Sequence, residues 1–193
     1  MTNTHIGLFR HGQTDWNVNF LLQGVTDIPM NTTGISQVKA AARAINKDDW
    51  DIILTSPLGR ARETAEIIGE ELGFQNILEQ ELLIERSFGE AEGLAYEQWK
   101  SRYSNLDVIP GGESKSDLIA RSELLLETLR TSHPGRRILA ISHGALIRTV
   151  LSITSKNELP REGERLGNAS LNIVSHLEDA WKVTKYDLEP LSP

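Results

Sequence analysis

The amino-acid sequence predicts an α/β protein, a three-layer α/β/α sandwich with a largely parallel central sheet. Two observations carry the prediction. Short apolar runs alternate with segments of helical periodicity, and strand–helix alternation places helices on both faces of a parallel sheet. Three of the apolar runs also break off into similar polar groups: Arg10-His11-Gly12, Thr55-Ser56-Pro57 and Ser142-His143-Gly144. In open α/β sheets, sites form beyond the carboxyl ends of strands, so the three breaks can bring two histidines and an arginine into one cleft.

Taken in order, residues 6–9 are the first apolar run, a buried strand. Residues 33–45 place Ile35, Val38, Ala41 or Ala42, and Ile45 on one helical face. A second strand covers 52–54. Pro57 stands where a first-turn proline is tolerated, opening a helix through Leu72 with Gly73 as its stop. From 74 to about 116 the chain is rich in turn residues, Gly89, Gly93, Pro110, Gly111 and Gly112 among them, and only 94–103 reads as helical. Leu118, Arg121 or Ser122, Leu125 and Leu129 fall in register on a helix over 117–129. A third strand at 138–141 and a helix over 145–153 follow. Two final strands, 171–174 and 181–186, are joined at Glu178-Asp179. No repeat, linker or low-complexity segment interrupts the 193 residues, which suit one domain over 1–193.

Composition narrows the function. Hydrophobic residues make up 39% and charged residues 24%, an ordinary globular balance. A net charge of −7 argues against nucleic acid or an anionic membrane as partner. The absence of cysteine removes disulfides, thiolate zinc sites and cysteine nucleophiles. No secretory leader is visible, and no run approaches the ~20 apolar residues of a membrane span, so a cytoplasmic location is expected. There is no Gly-rich loop ending in Lys-Ser or Lys-Thr, and no His-Glu-x-x-His. His5, His133 and His176 show no pairing of a metal-binding kind and are read as structural. No metal and no cofactor is expected.

The strand ends carry the chemistry. A neutral imidazole at His11 has a nitrogen able to attack phosphorus. Arg10 can hold phosphate oxygens with its planar fork, and Gly12 lets backbone approach. On this tripeptide alone, a loop histidine beside a surface arginine accounts for the pattern equally well. Ser142-His143-Gly144 repeats the arrangement, with Gly144 opening a helix whose first N–H groups form an anion site. Ser142 as a simple cap is the competing reading. Arg60 and Arg62 are alternative phosphate ligands from the helix after Pro57, and either can instead be a solvated helix charge. A proton donor has five candidates, Glu79, Glu81, Glu85, Glu90 and Glu92, among which spacing does not choose.

With these residues in view, the sequence resembles the histidine phosphatase superfamily, the phosphoglycerate mutase-like family, over nearly its whole length. The stretch from Leu8 through Arg10-His11-Gly12 to Asn17 resembles the opening motif. Leu22-Gln23-Gly24 with Asp27-Ile28-Pro29 and Gly34 follows it. Ser56-Pro57-Leu58-Gly59-Arg60-Ala61 with Thr64-Ala65 resembles the arginine motif, and Glu85 with Phe88-Gly89 and Glu92-Gly93 the acid motif. Pro110-Gly111-Gly112-Glu113-Ser114 and Ser142-His143-Gly144 complete the set. Pro29-Met30-Asn31 departs from the family's Pro-Leu-Thr.

The resemblance implies that His11 becomes phosphohistidine. Arg10, Arg60 and His143 would form the phosphate pocket, with Asn17 and Gly144 as further contacts, and Gln23 and Gly24 would face the substrate. Glu85 would be proton donor and then base for water. The substrate would be a small phosphorylated metabolite, and homodimers are frequent in the family. A phosphoglycerate mutase, an isomerase, is the alternative. The short chain and Glu85-Arg86-Ser87-Phe88-Gly89, where mutases carry His-Tyr-Gly after the Glu-Arg pair, favour the phosphatase. A non-catalytic phospho-ligand-binding module is the third reading. The segment 98–115, with Lys100, Arg102 and Lys115, is expected in the cleft wall.

Overall fold

The structure, a computed structural model, describes residues 3–192. Its elements are β1 (His5–Arg10), α1 (Asp15–Val18), α2 (Thr32–Ala44), β2 (Ile52–Thr55), α3 (Gly59–Leu72), β3 (Ile77–Glu79), α4 (Tyr96–Arg102), α5 (Lys115–Ser132), β4 (Arg137–Ser142), α6 (Gly144–Thr154), β5 (Leu171–Leu177) and β6 (Ala180–Lys185), with single 3-10 turns between. The strands form one six-stranded sheet in the order β3-β2-β4-β1-β5-β6. The first four of that order run parallel. β5 pairs antiparallel with β1, and β6 antiparallel with β5. The expected sandwich with a largely parallel sheet is what forms.

Alternation along β1 sorts the core. Ile6 and Leu8 point to one face, where α5 and α6 bring Leu125, Leu129, Leu146 and Val150. Phe9 points to the other, against α2 and α3 with Val38, Ala41, Ala65 and Ile68. This is the two-residue period of a strand covered on both sides. Gly7, two residues before Phe9, shares the α2–α3 face, and the Trp50 indole occupies its side-chain space: a Cβ there would lie 2.2 Å from the ring. A third, small cluster of Ala91, Trp99 and Ile109, with Leu22 and Leu94 packed on it, holds the irregular middle of the chain together.

The helix after β2 begins at Gly59, with Leu58 extended as its N-cap (φ −73°, ψ 136°), so Pro57 precedes the helix instead of sitting in its first turn. Two side chains impose this. Ser56 Oγ accepts from Leu58 N (3.3 Å) and Asp27 Oδ2 from Gly59 N (2.8 Å). The stop at Gly73 is as expected, left-handed at φ 71°. Among the described residues no helix is long and apolar enough to cross a membrane.

Candidate active site

The carboxyl ends of β1, β2 and β4 lie side by side. His11 N donates to Ser142 O (3.0 Å) and Ser56 N to Ile141 O (3.0 Å), so backbone bonds continue just past the strands and set His11, Ser56 and His143 as neighbours. The two imidazoles stand 5.1 Å apart between ring centroids. Both are buried, His11 at 3% exposure and His143 at 0%.

The hydrogen bonds of His11 decide which nitrogen is free. Nδ1 lies 2.7 Å from the Gly12 carbonyl, which can only accept, so the proton sits on Nδ1 and the lone pair on Nε2. Burial, with Arg60 and Arg10 beside it, pushes the His11 imidazole well below its ordinary value of 6.5. Burial and the same arginines do likewise to His143. Ser56 Oγ accepts from Leu58 N and meets His143 Nε2 at 2.7 Å. The network closes when Ser56 donates, leaving the His143 proton on Nδ1.

Arg60 is buried completely. Its Nε donates to His11 Nε2 (3.3 Å), Nη1 to Thr26 O (3.0 Å) and Nη2 to Gly24 O (2.7 Å), with Asp27 Oδ1 at 3.8 Å. Arg62 points elsewhere, to Glu79 across half-exposed surface, so Arg60 is the arginine brought to the histidines. Arg10 donates through Nη1 to Leu166 O. Burial lowers its guanidinium to about 10, with Glu85 opposing the shift.

Of the five acidic candidates, only Glu85 reaches the strand ends. Its Oε2 accepts from Ala145 N (2.9 Å), and Oε1 from Leu146 N (3.1 Å) and Arg86 N (2.8 Å). The first N–H groups of α6 are therefore occupied by a carboxylate of this chain, which satisfies both them and the helix dipole. Gly144 lies behind them, with the Arg10 guanidinium 3.4–3.7 Å from where its Cβ would stand. Glu92 instead clasps Val25 N, Thr26 N and Phe88 N, Glu90 meets Tyr103, and Glu79 takes Arg62.

Asn17 caps α1 reciprocally with Thr14 and donates to Gln23 Oε1 (3.1 Å). Gly24 serves from behind, through its carbonyl on Arg60. Asn168 was not legible in the sequence: it donates to His11 O and to Asn17 Oδ1, both at 3.0 Å. Leu166, whose carbonyl holds Arg10, was equally hidden. Their segment, 163–168, has no periodicity and no motif, and only its fold-back onto β1, with Ala169 N on Arg10 O (3.0 Å), brings it to the site. A cleft of about 510 Å³ opens here between Arg10, Asn17, Leu22, Trp99, Arg165 and Asn168. Of the expected wall segment 98–115 only Trp99 lines it, joined by Tyr96 from just before that segment, whereas Lys100 turns away to Ser104 O.

Four buried side-chain nitrogens lack a partner among the described residues: Arg10 Nε, His143 Nδ1, Gln23 Nε2 and Asn172 Nδ2. Three of the four belong to this site. All three are donors once His143 carries its proton on Nδ1. Among the described residues no group of three or more His, Asp or Glu is arranged to hold a metal ion.

The chain belongs to the histidine phosphatase superfamily (branch 1), whose pattern it matches over residues 6–189. It is 37% identical over 185 residues to the uncharacterized phosphatase PhoE of Bacillus subtilis (strain 168), covering 96% of this chain and 95% of that one. It is 31% identical over 203 residues to the metal-independent phosphoserine phosphatase of Arabidopsis thaliana, covering 98% and 84%. Among solved structures, mycobacterial glucosyl-3-phosphoglycerate phosphatase is similar at a TM-score of 0.83 and 28% identity, over 97% of this chain and 100% of that one. The relatives are phosphatases, with probable phosphoglycerate mutases among them.

Proposed function

We propose that this protein hydrolyses a small phosphomonoester through a phosphohistidine at His11. The observation that carries the reading is the set of buried donors without partners around a histidine whose Nε2 carries the lone pair and accepts only from Arg60 Nε. An unpaired buried donor costs about 1–3 kcal/mol. Arg10 Nε, His143 Nδ1 and Gln23 Nε2 are all relieved by one ligand rich in acceptor oxygens, and a phosphoryl group is such a ligand.

In the first step His11 Nε2 forms a bond to phosphorus, opposite the departing oxygen. The phosphorus–oxygen bond to the alcohol breaks, and Glu85 gives its proton to that oxygen. Glu85 Oε2 has one backbone partner where Oε1 has two, so Oε2 keeps a lone-pair position for the proton. In the second step water attacks phosphorus, its proton goes to Glu85, and the nitrogen–phosphorus bond returns its electrons to Nε2. Arg10, Arg60 and His143 face the equatorial oxygens, where charge stabilisation is the largest expected contribution. Arg60 Nε leaves His11 Nε2 for a phosphoryl oxygen as the ester enters.

The test is phosphate release from a panel of phosphomonoesters in EDTA, run beside 3-phosphoglycerate to 2-phosphoglycerate conversion. Release without interconversion supports the reading, and dominant interconversion replaces it with a mutase. His11→Ala is expected to reduce turnover by at least 10³-fold and to abolish acid-labile labelling of the protein by substrate phosphate. Labelling that persists in the variant sinks the phosphohistidine.

A further inference from the structure

Glu85 must present its carboxyl group at one place, yet it stands on a stretch without regular structure. Residues 82–85 comprise the end of the 3-10 turn Glu81–Leu83 and the two residues after it, and belong to no strand. Their carbonyls are collected by two side chains. Ser142 Oγ donates to Leu83 O (2.7 Å). Arg121, from α5, donates through Nη1 to Leu82 O (3.0 Å) and Ile84 O (2.8 Å), and through Nη2 to Glu85 O (3.5 Å).

The other side of the same guanidinium faces Glu113. Nε meets Oε1 at 2.8 Å and Nη2 meets Oε2 at 2.7 Å, a two-pronged pair whose side chains are 16% and 17% exposed. All five N–H groups of Arg121 are used. Glu113 is tied in turn to the segment after Glu85: its N–H donates to Ser87 O (2.8 Å), and its carbonyl accepts from Arg86 Nε (2.9 Å). A lysine has no planar fork and cannot reproduce this set.

We propose that Arg121, with Glu113 as its counter-ion, is a positioning residue for proton transfer by Glu85. It touches no substrate. It fixes the backbone from which Glu85 extends, on the side opposite the α6 N–H groups that fix the carboxylate. The inference rests on the reading of Glu85 as the proton donor.

General acid catalysis contributes about 10²–10⁴-fold, and only where the departing oxygen needs the proton. A displaced Glu85 therefore slows esters of alkyl alcohols, whose alkoxides are basic, far more than p-nitrophenyl phosphate, whose phenolate leaves unaided. The quantity to measure is kcat/KM, which covers the alcohol-releasing step, as a ratio of alkyl to aryl ester. Arg121→Lys is expected to lower this ratio roughly 10–100-fold, Glu113→Gln in the same direction by less, and Glu85→Gln by the most. In the Glu85→Gln background, Arg121→Lys should cost the alkyl ester nothing more. Equal losses on both esters, or full additivity in the double variant, would mean a purely structural Arg121 and overturn the proposal. Should Arg121→Lys not fold, the same comparison is made with Glu113→Gln. If Glu85→Gln itself leaves the ratio unmoved, Glu85 is not the donor and the proposal falls with it. If Glu85→Gln lowers the ratio and neither Arg121→Lys nor Glu113→Gln does, the proposal alone falls.

Discussion

Arg60 shows how a single cation is held fully buried. Its partners are mostly neutral, two carbonyls and an imidazole, with one carboxylate at 3.8 Å. Fixed dipoles of this kind orient a charge without neutralising it, which leaves it available to an anion. Gly24 is one of the fixtures. A Cβ there would stand 2.1 Å from Glu92 Oε1 and 2.7 Å from Arg86 O, so Gly24→Ala must shift either the backbone or Glu92, which clasps Val25 and Thr26. The carbonyls that aim Arg60 move with them. Misplacement of a positioned group by about 1 Å costs on the order of 10²-fold, and that loss in kcat/KM is the expected outcome. A loss under threefold, with the variant folded, would mean that Gly24 has no part in aiming Arg60. In the sequence, Arg10, His11 and His143 were legible because each stands within two residues of the end of an apolar run. Arg60 over Arg62, and Glu85 over its four neighbours, rested on the family resemblance, since the deciding contacts join residues far apart in the chain.

At the scale of elements, long periodic segments were legible and short ones were not. The apolar rows of α2, α3, α5 and α6 and the runs of β1, β2 and β4 mark themselves. β3 has three residues, of which only Ile77 is inward-facing, too few to show a period. α1 is a single turn held by reciprocal capping between Thr14 and Asn17, a contact of side chains with backbone that hydrophobicity does not register. The Gly7–Trp50 contact is also hidden, because a glycine in a strand names no partner. Its energetic expectation is definite. Gly7→Ala places a methyl group within 2.2 Å of a buried ring in a strand with neighbours on both sides. Overpacking of this kind costs about 1–3 kcal/mol, read as a lower urea midpoint. Trp50→Leu in the Gly7→Ala background should cost less than it does alone. Simple additivity of the two would show that the indole is not what excludes the methyl group.

Over the whole molecule, the site's chemistry sets a pH dependence of stability. His11 and His143 have folded-state values well below 6.5, whereas the unfolded chain binds their protons near 6.5. Between those limits the unfolded state holds more protons than the folded one, so stability rises with pH. It is fully present above about 6.5 and is lost as pH falls below that value. Each histidine can contribute at most about 1.4 kcal/mol per pH unit within that window. The window is separable from the carboxylates, because Asp51, Glu92, Asp107, Glu127, Glu164 and Glu178 are all shifted downward and lose their contributions at lower pH. It is separable in sign from the general charge as well. The net charge of −7 shrinks as pH falls, which relieves self-repulsion and stabilises. Urea denaturation at pH 7 and 5.5, without phosphate, should therefore show a falling midpoint in the wild type and a much flatter one in the His11→Gln, His143→Gln double variant. A midpoint that holds or rises in the wild type would mean that the two imidazoles accept protons in place, and that the nucleophile is not kept neutral by its surroundings.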